Sequence, residues 1–290
     1  MKQLIYGLML LAILTGCTQR NKSGNDSKEL TVTVLPEEYF VKRIAGDAFR
    51  INVMVPPGAS PATYEPQPSQ IASLTKSDLY LAMGYTGFEM AWMEKLKSAN
   101  PDMTVVNLSE GVDLITEATT HDETDHHHGG IDPHTWLSPT NARIISKNIY
   151  TALSIAYPEM EEEMRANLDA FTLELDSLDN YIRTRLADLG SRSFFTFHPS
   201  LSYFARDYNL NQYPMELGGK TPSAGHMKAL VDRGKEEKIG VIFLQMQFDQ
   251  KNAEVLAKEI GAEIVQINPL DPDWFNQMVF ITDKLKERLQ

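Results

Sequence analysis

Two histidines in this chain stand in rigid local settings that suit metal binding. His134 lies in Asp132-Pro133-His134-Thr135-Trp136-Leu137-Ser138-Pro139, and His198 follows Phe194-Phe195-Thr196-Phe197 and precedes Pro199-Ser200-Leu201. A neutral imidazole offers a ring-nitrogen lone pair at physiological pH and is the commonest protein ligand for metals. Zinc accepts nitrogen, sulfur and oxygen donors in tetrahedral geometry. Between the two histidines runs His121-Asp122-Glu123-Thr124-Asp125-His126-His127-His128. Histidines and acids packed so closely offer several weak, exchangeable metal positions. A centre built around a borderline divalent metal is therefore the first expectation.

Composition narrows the field. The formal net charge is −12, and no basic patch stands out, so a nucleic-acid partner is excluded. Cys17 is the only cysteine, leaving the rest of the chain without a disulfide or a thiolate ligand. The N-terminal segment opens on Lys2 and continues with an apolar stretch over residues 4–14, too short to span a bilayer. It reads as a signal peptide over residues 1–16. Leu14-Thr15-Gly16-Cys17 resembles the lipobox of bacterial lipoproteins, which implies lipidation of Cys17. Residues 17–28, rich in Ser, Asn, Gly and Lys, read as a flexible tether.

The remaining chain must position the histidines. Short apolar runs at 30–35, 52–55, 79–83 and 104–108 alternate with helical patterns at 37–46, 69–75 and 88–98. Such alternation predicts βαβ units and a parallel sheet. Residues 109–133 are polar and acidic, and longer than an ordinary connection, so they read as a surface loop. A helix is expected over 139–156. Met160, Met164, Leu168, Phe171, Leu175, Leu178, Ile182, Leu186 and Leu189 then recur at steps of three and four, one apolar stripe on a long helix. The alternation resumes with strands expected at 194–198, 212–215, 241–245 and 263–268. The fold class is therefore α/β, with two lobes built on mostly parallel sheets. The N-terminal lobe covers 29–157, a linking helix 158–190 and the C-terminal lobe 191–290, with a cleft between the lobes.

Ligands in open α/β sheets gather at the carboxyl ends of strands. His198, His134, Asn268 with Asp271, and the segment 56–68 all fall there, two contributions from each lobe. At this point the chain resembles the metal-binding solute-binding proteins of bacterial ABC importers, in particular the zinc-uptake (ZnuA-like) branch. The matching phrases are Pro57-Gly58-Ala59-Ser60-Pro61-Ala62-Thr63-Tyr64-Glu65-Pro66, Asp132-Pro133-His134-Thr135-Trp136-Leu137, Phe197-His198-Pro199-Ser200-Leu201-Ser202-Tyr203-Phe204 and Gly219-Lys220-Thr221-Pro222-Ser223-Ala224. The resemblance implies two α/β lobes bridged by a long helix, with His134 and His198 as metal ligands. Nitrogen donors favour zinc over the harder manganese.

The chain departs from the family phrases at two places. Ala62 occupies a position where the family carries a ligand histidine, and Asn268 stands where aspartate is common. Three remedies are open: carboxylates from Glu65 or Asp271, water in an open coordination position, or His126, His127 or His128 from the loop. The resemblance also implies that the loop, with His121, gathers zinc ahead of the main site. Trp136, Tyr203 and Trp274 are expected to keep the cleft dry, and His226 to lie on the surface.

The function implied is capture of Zn²⁺ as a transported ligand, not catalysis. Delivery would be to an ABC permease with its ATPase, from a monomer exported and held on the membrane by a lipid anchor, facing the periplasm or the cell exterior. The alternatives are a zinc-buffering or adhesive surface lipoprotein and a receptor for another divalent metal such as manganese. No His-Glu-x-x-His or Gly-x-Ser-x-Gly occurs, so hydrolytic chemistry has no support in sequence motifs.

Overall fold

In the computed structural model, residues 28–116 and 130–290 are described. The histidines at 121, 126, 127 and 128, together with Cys17, lie outside them. The first lobe contains β1 (Lys28–Val32), α1 (Leu35–Ala45), β2 (Phe49–Val53), α2 (Pro68–Leu74), β3 (Leu79–Ala82), α3 (Gly87–Ala99) and β4 (Thr104–Asn107). Its four strands pair in the order β2-β1-β3-β4, all parallel. β1 and β3 are almost entirely buried, as strands covered on both faces must be. Helix α1 starts two residues earlier than its periodicity suggests. The reason is local: Pro36 sits in its first turn, and Glu37 folds back so that one carboxylate oxygen accepts from the backbone N–H of Thr33 and of Val34, both at 2.7 Å.

Helix α4 (Pro139–Ala156) follows, capped by the Ser138 hydroxyl, which accepts from Asn141 N–H. A 3-10 turn at Pro158–Met160 leads into α5 (Glu161–Arg185). This 25-residue helix runs about 38 Å at 1.5 Å per residue. It ends before the apolar stripe does, but Leu186 stays buried just beyond it.

The second lobe repeats the plan with β5 (Ser193–Thr196), α6 (Ser202–Asp207), β6 (Asn211–Pro214), α7 (Ala224–Glu236), β7 (Val241–Gln245), α8 (Lys251–Ile260), β8 (Glu263–Ile267) and α9 (Trp274–Arg288). Its sheet has the order β6-β5-β7-β8, again all parallel.

Helix α5 packs on α1 and α4 of the first lobe and on α9 of the second. Met164, Phe171, Leu175, Leu178 and Ile182 form its buried stripe. On its first-lobe side, Arg143 pairs with Asp176 at 2.6 Å and Arg43 with Glu174. On the other, Arg185 and Tyr181 both reach Asp283 of α9. One hydrophobic cluster runs from Phe40 through Phe171 to Trp274 and so through both lobes. A second, made by Phe195, Ile242, Leu244, Leu230 and Leu256, holds α7 and α8 to the outer face of the second sheet. Two indoles bridge the lobes near the cleft: Trp136 Nε1 donates to the Pro269 carbonyl, and Trp274 Nε1 donates to the Trp136 carbonyl, each at 2.8 Å.

Candidate metal centre

In each sheet the chain reverses its direction of winding between two central strands, β1 and β3 in the first and β5 and β7 in the second. Loops leaving adjacent strands at such a point diverge and open a crevice. The two crevices face each other across a cavity of ≈ 470 Å³, whose lining includes Ala62, Thr86, His134, His198, Gln245 and Phe248.

His134 is aimed by its own neighbours. Asp132 Oδ1 accepts from the His134 backbone N–H at 2.9 Å and contacts its Nδ1 at 2.8 Å. The Asp132 backbone is fixed in turn: its N–H donates to the Ile115 carbonyl at 2.8 Å, and its carbonyl accepts from the Tyr203 hydroxyl at 2.8 Å. Burial alone would raise the Asp132 pKa. The neighbouring His134, by charge and hydrogen bonds, and the Ser202 hydroxyl outweigh it and hold the carboxyl below its ordinary value.

His198 lies two residues past the end of β5, because Phe197 N–H still pairs with the Phe243 carbonyl and Pro199 ends the extended run. Its Nδ1 is 2.5 Å from Glu216 Oε1, and Glu216 is itself buried. The fully buried Gln245, at the end of β7, accepts from His198 N–H at 3.3 Å and donates to the His198 carbonyl and the Ser200 hydroxyl at 2.9 Å. Phe248 stacks on the ring at 5.8 Å between centroids.

Each Nδ1 therefore faces a carboxylate, which accepts hydrogen bonds and does not donate them when ionised. The proton of each neutral ring belongs on Nδ1, and the lone pairs fall to the two Nε2 atoms. These lie 3.3 Å apart. Two nitrogens bound to one tetrahedral zinc at about 2.0–2.1 Å stand roughly 3.3–3.4 Å from each other. Lone pairs facing each other at this distance call for a cation between them. Carboxylates placed behind imidazoles in this way set tautomer and ring direction and raise the donor strength of the free nitrogen.

The other expected donors are placed differently. Asn268 and Asp271 are absent from the cavity lining. Asn268 Oδ1 accepts from Leu270 N–H at 3.1 Å, and Asp271 Oδ1 accepts from Asp273 N–H at 2.9 Å, so both shape the turn into α9. Glu65 is exposed and also outside the lining. Ala62 does line the cavity, on a loop pressed against the start of α3. A Cβ on Gly87 would stand 3.0 Å from the Ala62 backbone, so a side chain there would have to push that loop back by a few tenths of an ångström. Among the described residues, no group of three His, Cys, Asp or Glu side chains is arranged to hold a metal ion. His226 is half-buried, not on the open surface, and lines a separate hollow with Tyr213 and Arg233.

Sequence reasoning did not single out Glu216 or Gln245, and it quoted Asp132 without giving it a role. Glu216 follows an apolar residue just past a strand, at the same relative place as His198, and that position was its one available signal.

The model of the zinc-uptake complex component A (periplasmic) family matches residues 30–288. The high-affinity zinc uptake system protein ZnuA of Bacillus subtilis (strain 168) is 30% identical over 287 residues, covering 91% of this chain and 88% of that protein. The zinc-binding lipoprotein AdcA of Streptococcus pneumoniae (strain ATCC BAA-255 / R6) is 29% identical over 280 residues, covering 92% of this chain and 55% of AdcA. The chain thus spans about half the length of the AdcA proteins it matches. The crystal structure of ZnuA superposes with a TM-score of 0.84 at 37% identity, covering 91% of this chain and 100% of that one.

Proposed function

Because the chain belongs to the zinc-uptake complex component A family, we propose that it is an exported zinc receptor that hands its ion to a membrane permease driven by an ATPase. The supporting observation is the pair of Nε2 atoms at 3.3 Å, each ring backed by a buried carboxylate. Two imidazoles from different lobes suit Zn²⁺ better than an all-oxygen metal such as Mg²⁺ or Mn²⁺. The cluster shared by both lobes limits movement to small adjustments at the cleft rather than wide closure. Lipid attachment at Cys17 would keep the receptor beside its permease, and action as a single copy suits that handover. No helix among the described residues is long and apolar enough to cross a membrane.

Calorimetric titration of the full chain in detergent with Zn²⁺ and with Mn²⁺ tests the reading. One zinc per chain, held more tightly than manganese and lost in His134→Ala and His198→Ala, is the expected result. Unchanged zinc binding in both variants would overturn it. For delivery, a strain lacking the protein should grow poorly under zinc depletion and recover with the wild-type chain but not with His198→Ala.

A further inference from the structure

The two histidines would fill two corners of a tetrahedral shell. Among the described residues no group of three His, Cys, Asp or Glu side chains is arranged to complete it, and the Glu216 carboxylate on the same wall is engaged by His198 Nδ1. Ala62 presents only a methyl group to the cavity. Yet the space beside the two Nε2 atoms is far larger than a zinc ion and two waters need. A water's share of liquid volume is about 30 Å³, against a cavity of ≈ 470 Å³. Pockets for small organic molecules run from about 300 to 1,000 Å³, with mostly apolar walls and a few placed polar groups. This cavity has that character. Pro61, Ala62, Trp136, Phe248, Pro269 and Leu270 give apolar wall. Apart from His134, His198 and the Glu216 carboxylate that His198 Nδ1 engages, the polar side chains on it are neutral hydroxyls and amides at Ser60, Thr63, Thr86, Ser200, Gln245 and Gln247, able to bond the carboxylate, hydroxyl or amine of a small ligand.

We infer that the chain takes zinc as a complex with a small amino- or hydroxy-carboxylate, which chelates the ion at the two corners the protein leaves open and fills the cavity beside it. The inference rests on the zinc-receptor reading and names its substrate class. By linkage, the chelate raises zinc affinity by the same factor as zinc raises affinity for the chelate.

Equilibrium dialysis of the full chain in detergent against radiolabelled citrate and, separately, radiolabelled L-histidine, with and without Zn²⁺, tests it. At least one label should be retained at one per chain only when zinc is present, with zinc held at least tenfold more tightly than in its absence. His134→Ala should abolish retention. Ala62→His, which puts an imidazole into the same space, should bind zinc alone more tightly and cut label retention at least tenfold. A variant lacking residues 117–129 should retain label as the wild type does. If zinc is retained at one per chain with neither label, water or the chain's own donors complete the shell; the inference then fails while the receptor reading stands. If deleting 117–129 abolishes zinc binding and no label is ever retained, the loop supplies the donors and the inference again fails. If the wild type retains no zinc in any condition, both readings fall together.

Discussion

At the scale of single residues, the proposed centre would depend on the groups behind His134 and His198 as much as on the two rings. Asp132 and Glu216 fix the tautomer of each ring, and Gln245 clamps the backbone on either side of His198. Removing such supports usually weakens metal binding by about 10–100-fold. Glu216→Ala should therefore bind zinc at least tenfold more weakly, read by competition with a chromophoric chelator. Asp271→Ala, outside the cavity lining, should leave that affinity unchanged; a matching loss would bring the Asp271 carboxylate into the shell.

At the scale of elements, two features hold the first lobe in shape. One is the stripe on α5. Leu175 is fully buried in the large apolar cluster, and Leu175→Ala should cost about 2–5 kcal/mol, as cavity-forming truncations do, measured by urea denaturation. The other is the carboxylate knot under β1 and β3. Glu89 receives the Thr33 hydroxyl and the N–H groups of Met83, Gly84 and Thr86, and so fixes the start of α3 at the cavity wall. Glu37 sits close by, with one oxygen buried and unpartnered. Burial first, and then the nearby Glu89, push the Glu37 pKa well above its ordinary value. The folded state thus keeps a proton that the unfolded chain gives up above the ordinary glutamate range, near pH 4.5. Stability from this group is complete below that pH and declines as pH rises toward the folded value. Glu37→Gln keeps the shape without the ionisation. Its melting temperature should exceed that of the wild type at pH 8, with the gap shrinking toward pH 5.

At the scale of the whole molecule, the two lobes share one core. A single apolar cluster passes through both, and the Trp136–Pro269 and Trp274–Trp136 hydrogen bonds close the seam beside the cavity. Trp274→Phe leaves the Trp136 carbonyl buried without its donor, at a cost of about 1–3 kcal/mol. Faster amide exchange should follow on both sides of the seam, not in one lobe alone. Small-angle scattering of zinc-free and zinc-loaded protein should give the same radius of gyration within error, because wide hinge closure would tear this shared core apart. A large compaction on zinc addition would show the seam to be weaker than its contacts imply.

The sequence by itself determined a good deal. Alternating apolar runs and helical patterns specify two parallel α/β lobes, since period and length distinguish strand from helix locally. The stripe from Met160 to Leu189 specifies a long helix between them, which the structure ends at Arg185. Strand-end placement pointed to His134 and His198, whose Nε2 atoms the structure brings to 3.3 Å, and plain residue identity shows that position 62 carries no imidazole. Only the tertiary structure decided the rest. His134 and His198 are 64 residues apart, Glu216 is 18 from His198, and Gln245 is 47 from it. No local pattern records that such groups meet. Asn268 and Asp271 looked as well placed as the histidines along the chain, yet their side chains serve the turn into α9. Coordination depends on where a lone pair points to within a few tenths of an ångström. That direction comes from packing and hydrogen bonds between segments distant in sequence, and spacing along one segment cannot encode it.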